Sequence, residues 1–267
     1  MNYVLESVVE AERLETQNKN ELYSVEEELK GIEFSNGEKI IDIGCGTGAV
    51  SAEILKKNLQ VDLTAIDISE IRIQQAKNLL PTYYKDMIKF QCLDLMDDTL
   101  PENSFDVVIS RFVLHHLEEP LQMLISMKRV LKPGGRLIII DSDGILHNYF
   151  CTDQWLMDCL SRIKEGMKLD MYIGRKLKSY YNYIELENID VKMIPMHFKN
   201  ESLTAEVNQY RERFSIMRDF FIDLLGQTDT DNFFSLYLKY LEKDSAELFY
   251  NKFVAESSSP CSQSLKL

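Results

Sequence analysis

Three glycines spaced two apart, Gly44, Gly46 and Gly48, close a β-rich run and open a helix-patterned one (KIIDI, GCGTG, AVSAEILKKN; residues 39–58). Glycine is needed where the backbone takes a positive φ or where something must approach it closely. A strand that turns through glycines straight into a helix is the opening unit of a parallel α/β sheet, and few other folds accommodate it. Only 11 of the 267 residues are glycine, below the usual share of about 7%. Five of them nevertheless fall in two clusters, Gly44, Gly46 and Gly48, then Gly134 and Gly135. That concentration points to one site rather than to general flexibility.

The pattern then repeats. β-like runs at 61–66 (VDLTAI), 88–93 (IKFQCL), 105–109 (FDVVI) and 136–140 (RLIII) alternate with helix-patterned stretches at 69–80 and 121–131. Strands alternating with helices of this length build a parallel sheet covered on both faces, joined by right-handed crossovers. Ligands of such sheets bind outside the carboxyl ends of the strands, where the strand order reverses. Four of the five strand ends carry the glycine loop or an acid (Asp67, Asp94, Asp141), so the site is expected there.

Past residue 142 the pattern loosens. Residues 153–167 and 174–183 read as helices, and 189–198 (IDVKMIPMHF) alternates as a strand does. Leu203, Val207, Tyr210, Phe214, Met217, Phe221 and Leu224 recur at spacings of four and three, one apolar stripe on one helix. Such a stripe packs into a core, or with its aromatics it walls a small-molecule pocket as a lid. A last strand falls at 247–255, and the serine-rich SSSPCSQS after it (257–264) reads as disordered.

Acids outnumber bases 43 to 30, a net charge of −13, which argues against a surface that neutralises nucleic-acid phosphates along its length. No apolar run approaches the roughly 18 residues of a membrane helix, and the acidic N-terminus MNYVLESVVEAE lacks the layout of a signal peptide. The five cysteines form no C-x-x-C pair, so neither a disulfide framework nor a thiolate metal site is indicated. The chain reads as cytoplasmic.

Gly44, Gly46 and Ala49 also satisfy the dinucleotide fingerprint, with acidic Asp67 about 20 residues on. Asp42 argues against a pyrophosphate in that turn, because its carboxylate repels phosphate and attracts an ammonium group. Asp94 and the L-K-P-G-G turn have no task in a plain dinucleotide motif. With these features together, the chain resembles the class I S-adenosylmethionine-dependent methyltransferases of small-molecule type. The resemblance rests on IIDIGCGTG (40–48), TAIDIS (64–69), QCLDL (91–95), FDVVISRFVLHHL (105–117) and LKPGGRLIIID (131–141), in the family's order and spacing. EAERLETQ (10–17) resembles the N-terminal helix of many members.

The resemblance implies an α/β fold, a Rossmann-like doubly wound sheet of seven mostly parallel strands with a helical insertion near the C-terminus. The expected layout is an N-terminal helical cap over 1–35, a cofactor-binding core over 36–199, an insertion or lid over 200–246, a final strand over 247–256 and a disordered tail over 257–267. It implies S-adenosyl-L-methionine as cofactor. The turn Gly44, Cys45, Gly46 and Gly48 would leave bare backbone for the methionine moiety, with Asp42 suited to its ammonium group. Asp67 would accept the ribose hydroxyls, Ile68 would cover the adenine, and Asp94 with the Leu95 backbone would take its amine edge. Arg13 with Gln17, four apart on one helix face, or Arg111 just past the fourth strand, would meet the methionine carboxylate.

Methyl transfer from a sulfonium is an in-line displacement that asks the protein mainly for positioning and exclusion of water. A base is needed only where the acceptor arrives protonated. The candidate catalytic residues are His116, of the pair His115–His116, and Asp143, of the pair Asp141–Asp143; one member of each pair is expected to face the acceptor. No third acid is placed to make a magnesium site with those two, so no metal is expected. The function implied is methyl transfer to N, O, S or C of a small-molecule, biosynthetic acceptor by a monomer or homodimer, without nucleic acid or membrane as partner. The alternatives are an RNA or protein methyltransferase, against which stand the net charge and the sequence ISRF (109–112) in place of a nucleobase-methylation signature, and a non-catalytic cofactor-binding partner subunit.

Overall fold

The computed structural model describes residues 13–14, 16–17, 20–57, 59–97, 99–144, 146, 148–167 and 169–261. The expected cap over 1–35 and tail over 257–267 therefore lie partly outside the described residues.

Five parallel strands carry the first half of the fold: β1 (Lys39–Ile43), β2 (Asp62–Asp67), β3 (Ile88–Cys92), β4 (Phe105–Arg111) and β5 (Leu131–Asp143). β6 (Glu187–Phe198) and β7 (Leu248–Ser258) complete one sheet in the order β3-β2-β1-β4-β5-β7-β6. Only β7 runs against the others, pairing antiparallel with both β5 and β6. The order reverses between β1 and β4, which places the glycine turn and the end of β4 at the switch point of the sheet.

The strand cores read as continuous aliphatic runs because helices cover both faces. On one face α1 (Val25–Glu28), α2 (Ala49–Lys56) and α3 (Glu70–Leu79) bury Val25, Ile54 and Ile73 against Ile40, Val107 and Ile138. On the other, α4 (Pro120–Val130) and α6 (Leu177–Tyr183) bury Leu124, Met127 and Leu177 against Ile41, Val108 and Leu137.

A third apolar cluster lies beyond the sheet. It joins α5 (Gln154–Gly166) to three helices inserted between β6 and β7: α7 (Asn200–Ile216), α8 (Arg218–Leu225) and α9 (Gln227–Leu241). The 203–224 stripe is thus not one helix. It breaks at Met217, and the break turns Phe221 edge-on to Phe214, with ring centroids 5.6 Å apart.

The second glycine cluster also departs from its reading as part of a site. Gly134 and Gly135 sit near the start of β5, at the far end of the strand from Asp141. A Cβ at Gly135 would lie 2.9 Å from the Lys132 carbonyl and 3.0 Å from that of Asp106, so close backbone packing requires this glycine. The serine-rich stretch reads differently too: β7 runs through Ser258, and Ser259 exchanges backbone hydrogen bonds with Gly134 and Gly135 at 3.1 and 2.8 Å. Pairing along β5 orders a segment whose composition alone signals disorder.

Candidate active site

The glycine turn has two separate steric requirements. At Gly44 (φ +68°) a Cβ would lie 2.3 Å from Val113 Cγ2, so the loop after β4 packs directly on the turn. At Gly46 (φ +53°) a Cβ would meet nothing within 4 Å among the described residues, so this part of the backbone is open toward them. Gly48 then starts α2 from a left-handed φ of +81°.

Asp67, at the end of β2, holds the turn in shape. Its Oδ2 accepts the Gly46 N–H at 2.9 Å and its Oδ1 the Ser69 N–H at 2.9 Å. The N-cap of α3 is Ser69, whose hydroxyl accepts the Arg72 N–H, so Asp67 is not needed as a helix cap. Ile68 beside it is 45% exposed. One strand further, Asp94 Oδ1 accepts the Met96 N–H at 2.9 Å and Leu95 is buried. Turn, Asp67–Ile68 and Asp94–Leu95 thus lie in a row along the ends of β1, β2 and β3.

Asp42 is buried on β1. Its Oδ2 accepts the Ser51 N–H at 3.1 Å and hydroxyl at 2.7 Å, while Oδ1 has no hydrogen-bond partner among the described residues. Burial raises its carboxyl pKa to about 6, against the lowering effect of Ser51. A buried carboxylate oxygen with nothing to accept is suited to a cationic ligand group. Cys45 is buried as well, and burial followed by Asp42 and Asp67 pushes its thiol up.

At the ends of β4 and β5 the structure pairs residues differently from the sequence reading. The chain leaves β4 through Phe112, held at φ +55°, a strained setting for an aromatic residue. His115 Nδ1 then lies 2.6 Å from Asp141 Oδ1. Asp141, fully buried, also accepts the Leu114 N–H at 3.0 Å and the Ser142 N–H at 2.7 Å. The carboxylate partner therefore belongs to His115, not to His116. The His116 ring lies 4.0 Å from that of His115, and burial, then His115, Arg13 and Arg213, hold its pKa well below the usual range. Asp143 is bonded within the protein. Residues two apart on a strand share a face, and Asp143 is buried beside Asp141's side of the sheet, bonded to the Arg175 side chain and to its N–H at 3.0 Å.

The Methyltransferase domain family matches residues 41–139, which span the glycine turn, Asp67, Asp94 and the His115–His116 segment. Over that span the chain is similar to methyltransferases. The chain is 36% identical over 109 residues to the 27-O-demethylrifamycin SV methyltransferase of Amycolatopsis mediterranei (strain S699), 39% of each chain. It is 33% identical over 101 residues to a ubiquinone biosynthesis O-methyltransferase of Coxiella burnetii (strain Dugway 5J108-111), 38% of this chain and 42% of that one. The chain thus spans about two fifths of the length of these curated relatives. The solved phosphoethanolamine N-methyltransferase 2 of Haemonchus contortus shares the fold, with TM-score 0.56 and 17% identity over 93% of this chain and 52% of that one.

Outside the matched span, two layers close over the methyltransferase domain. In the first, Arg111 does not stand open toward a ligand carboxylate. Its Nε and Nη2 grip both oxygens of buried Glu28 at 2.5 and 3.1 Å, and Nη2 also donates to the Tyr23 carbonyl at 2.8 Å. Lys252 Nζ meets Glu28 at 2.6 Å; burial lowers its pKa, opposed by Glu28. This triad ties the segment before β1 to β4 and β7. In the second layer, Arg13 and Gln17 do share a helix face, joined at 3.0 Å, and Arg13 also donates to Gln209 of α7 at 2.8 Å. A groove of about 460 Å³ lined by Gln17, Asn20, Tyr23, Asn208 and Gln209 opens at this junction.

Sequence reasoning missed Glu28, Glu206, Gln209, Arg213, Tyr250 and Lys252. Glu206, Gln209 and Arg213 recur at spacings of three and four beside the apolar stripe, a polar stripe on a helix with a buried face, and that signal was available. Among the described residues no helix is long and apolar enough to cross a membrane.

Proposed function

We propose that this chain transfers a methyl group from S-adenosyl-L-methionine to a small-molecule acceptor. The observation that carries the reading is the row at the switch point: an open backbone face at Gly46, Asp67 of β2 bonded to it, and on β1 a buried Asp42 oxygen unpartnered among the described residues. When bound, the cofactor supplies a methyl group already activated on a positive sulfur.

The chain's own residues have fitting tasks. Asp42 is suited to the ammonium group, and Asp67, a carboxylate at the end of β2 beside the open turn, to the ribose hydroxyls. Ile68 offers the adenine an apolar face, with Asp94 and the Leu95 backbone at its edge. Arg13 and Gln17 are suited to the methionine carboxylate, since Arg111 is committed to Glu28. Asp141 holds His115 with Nδ1 as donor, which leaves Nε2 as the lone-pair nitrogen able to take a proton from an acceptor hydroxyl. His116, kept neutral by its surroundings, lines the same wall. The insertion α7–α9, outside the sheet, is suited to close over an acceptor and exclude water. The O-methyltransferase names of two relatives support an oxygen acceptor.

The test is calorimetric. S-adenosylmethionine and S-adenosylhomocysteine should bind with roughly micromolar affinity, about −8 kcal/mol, and NAD should not. Binding of NAD in preference to both would reject the reading.

A further inference from the structure

α7 turns two stripes inward. Leu203, Val207, Tyr210 and Phe214 are apolar; Glu206, Gln209 and Arg213 are polar, at spacings that also share a helix face. Burying such a row is costly unless it is bonded or meets a ligand. Glu206 is fully bonded: it accepts the Tyr250 hydroxyl at 2.5 Å, the Tyr23 hydroxyl at 3.1 Å and Arg213 Nη1 at 3.2 Å. Gln209 accepts from Arg13. Arg213 is different. Its side chain is 13% exposed and its guanidinium lies 5.3 Å from the Tyr210 ring centre, yet Nε and Nη2 have no hydrogen-bond partner among the described residues.

That unspent edge has a worked counterpart in the same molecule, because Arg111 uses its own Nε–Nη2 edge to grip the two oxygens of Glu28. Arg213 also acts on the wall of the candidate base: after burial and His115, Arg13 and Arg213 disfavour a proton on His116, whose ring lies 4.0 Å from that of His115. A field of this sign repels an ammonium-bearing acceptor and favours an anionic one.

We propose that Arg213, pinned through Nη1 by Glu206, is the acceptor's anion clamp, and that the acceptor carries a carboxylate or phosphate gripped by Nε and Nη2. Tyr23 and Tyr250 act through Glu206 as positioning residues. This rests on the methyltransferase reading for the identity of the ligand as acceptor, but its test does not need turnover.

Wild-type protein, free and saturated with S-adenosylhomocysteine, is titrated with benzoate, phenyl phosphate, benzamide and benzylamine. One or both anions should bind in the millimolar range, with the tighter of the two naming the carboxylate or phosphate source, and the amide and amine should bind about tenfold more weakly or not at all. Arg213→Gln should lose about tenfold in anion affinity, and Arg213→Lys, which keeps the charge but not the fork, should lose part of that. S-adenosylhomocysteine affinity should change by less than about twofold in both variants. A merely structural Arg213 would lower the melting temperature without separating benzoate from benzamide. The proposal is overturned if neither anion binds wild type up to about 20 mM, if benzamide binds as well as benzoate, or if Arg213→Gln keeps full anion affinity. The wild-type comparison stands even where a variant does not fold. Failure of S-adenosylhomocysteine to bind would reject the methyltransferase reading instead, while the cofactor-free titration still reads the clamp.

Discussion

His115 Nδ1 and Asp141 Oδ1 are 2.6 Å apart across the ends of β4 and β5, and Asp141 has no solvent exposure. A carboxylate at that distance favours the tautomer with the proton on Nδ1. Nitrogen NMR at neutral pH should show the Nδ1–H form of His115, and Asp141→Asn should disturb that preference. With an acceptor that must lose a proton, His115→Gln should lower kcat by about 10²–10⁴-fold, the usual contribution of a positioned base. His116→Gln should cost clearly less. The opposite ranking would return the base to His116.

Asp42 makes a pH-dependent trade between stability and binding. Its pKa is about 6 in the folded chain, above the ordinary 3.8 of a free carboxyl. The folded state therefore holds this proton more tightly than the unfolded state, so the penalty is absent well below pH 4, grows as pH rises toward 6 and is complete above it. Asp42→Asn should stabilise the ligand-free protein at pH 8 by about 1–3 kcal/mol, with the gain fading in acid. It should also weaken S-adenosylmethionine binding. A variant that melts lower than wild type at pH 8 would show that the buried carboxylate is compensated in the free protein.

Asp67 and Gly46 should fail in different ways. Asp67→Ala removes a carboxylate that braces the turn and faces the proposed ribose site, and should weaken cofactor binding by about 1.5–3 kcal/mol, the scale of a charged hydrogen bond. Gly46→Val puts a side chain into space that no described residue fills, so the protein should fold, at a strain cost of about 1–2 kcal/mol for the left-handed φ. Cofactor binding should vanish. Calorimetry showing normal affinity in the valine variant would mean that the open face at Gly46 is not the cofactor's path.

The parallel half of the fold was legible because its signals are local. An aliphatic run, a glycine turn and an amphipathic helix each lie within about a dozen residues, and each strand end announces its acid. Arg13 and Gln17, four apart, were legible as a pair for the same reason. What could not be read depends on partners far along the chain. Nothing near Arg111 announces Glu28, 83 positions before it, and nothing near Glu28 announces Lys252, 224 positions after it. The choice between His115 and His116 likewise depends on which ring meets Asp141, 26 and 25 residues away, and that follows from the β4–β5 register. The stripe over 203–224 misled because its spacing survives a break in the helix: two shorter helices meeting at Met217 keep the same residues on the buried side.

Phe214 was the residue on which a lid and a core reading of that stripe differ, and its surroundings are those of a core. It is 3% exposed, stacks on Phe234 with centroids 4.5 Å apart and interplanar angle 3°, and meets Phe221, Phe233 and Tyr237 between 5.4 and 5.8 Å. These rings come from all three inserted helices, so removing one leaves a cavity the others cannot fill without repacking. Phe214→Ala should cost about 3–5 kcal/mol, a fall in melting temperature on the order of 10 °C for a chain of this size. The glycine turn and Asp67 lie outside this cluster, so S-adenosylhomocysteine affinity in the folded variant should stay within about twofold of wild type. A variant that melts normally but no longer binds an acceptor analogue would reverse the assignment and make Phe214 part of the pocket wall.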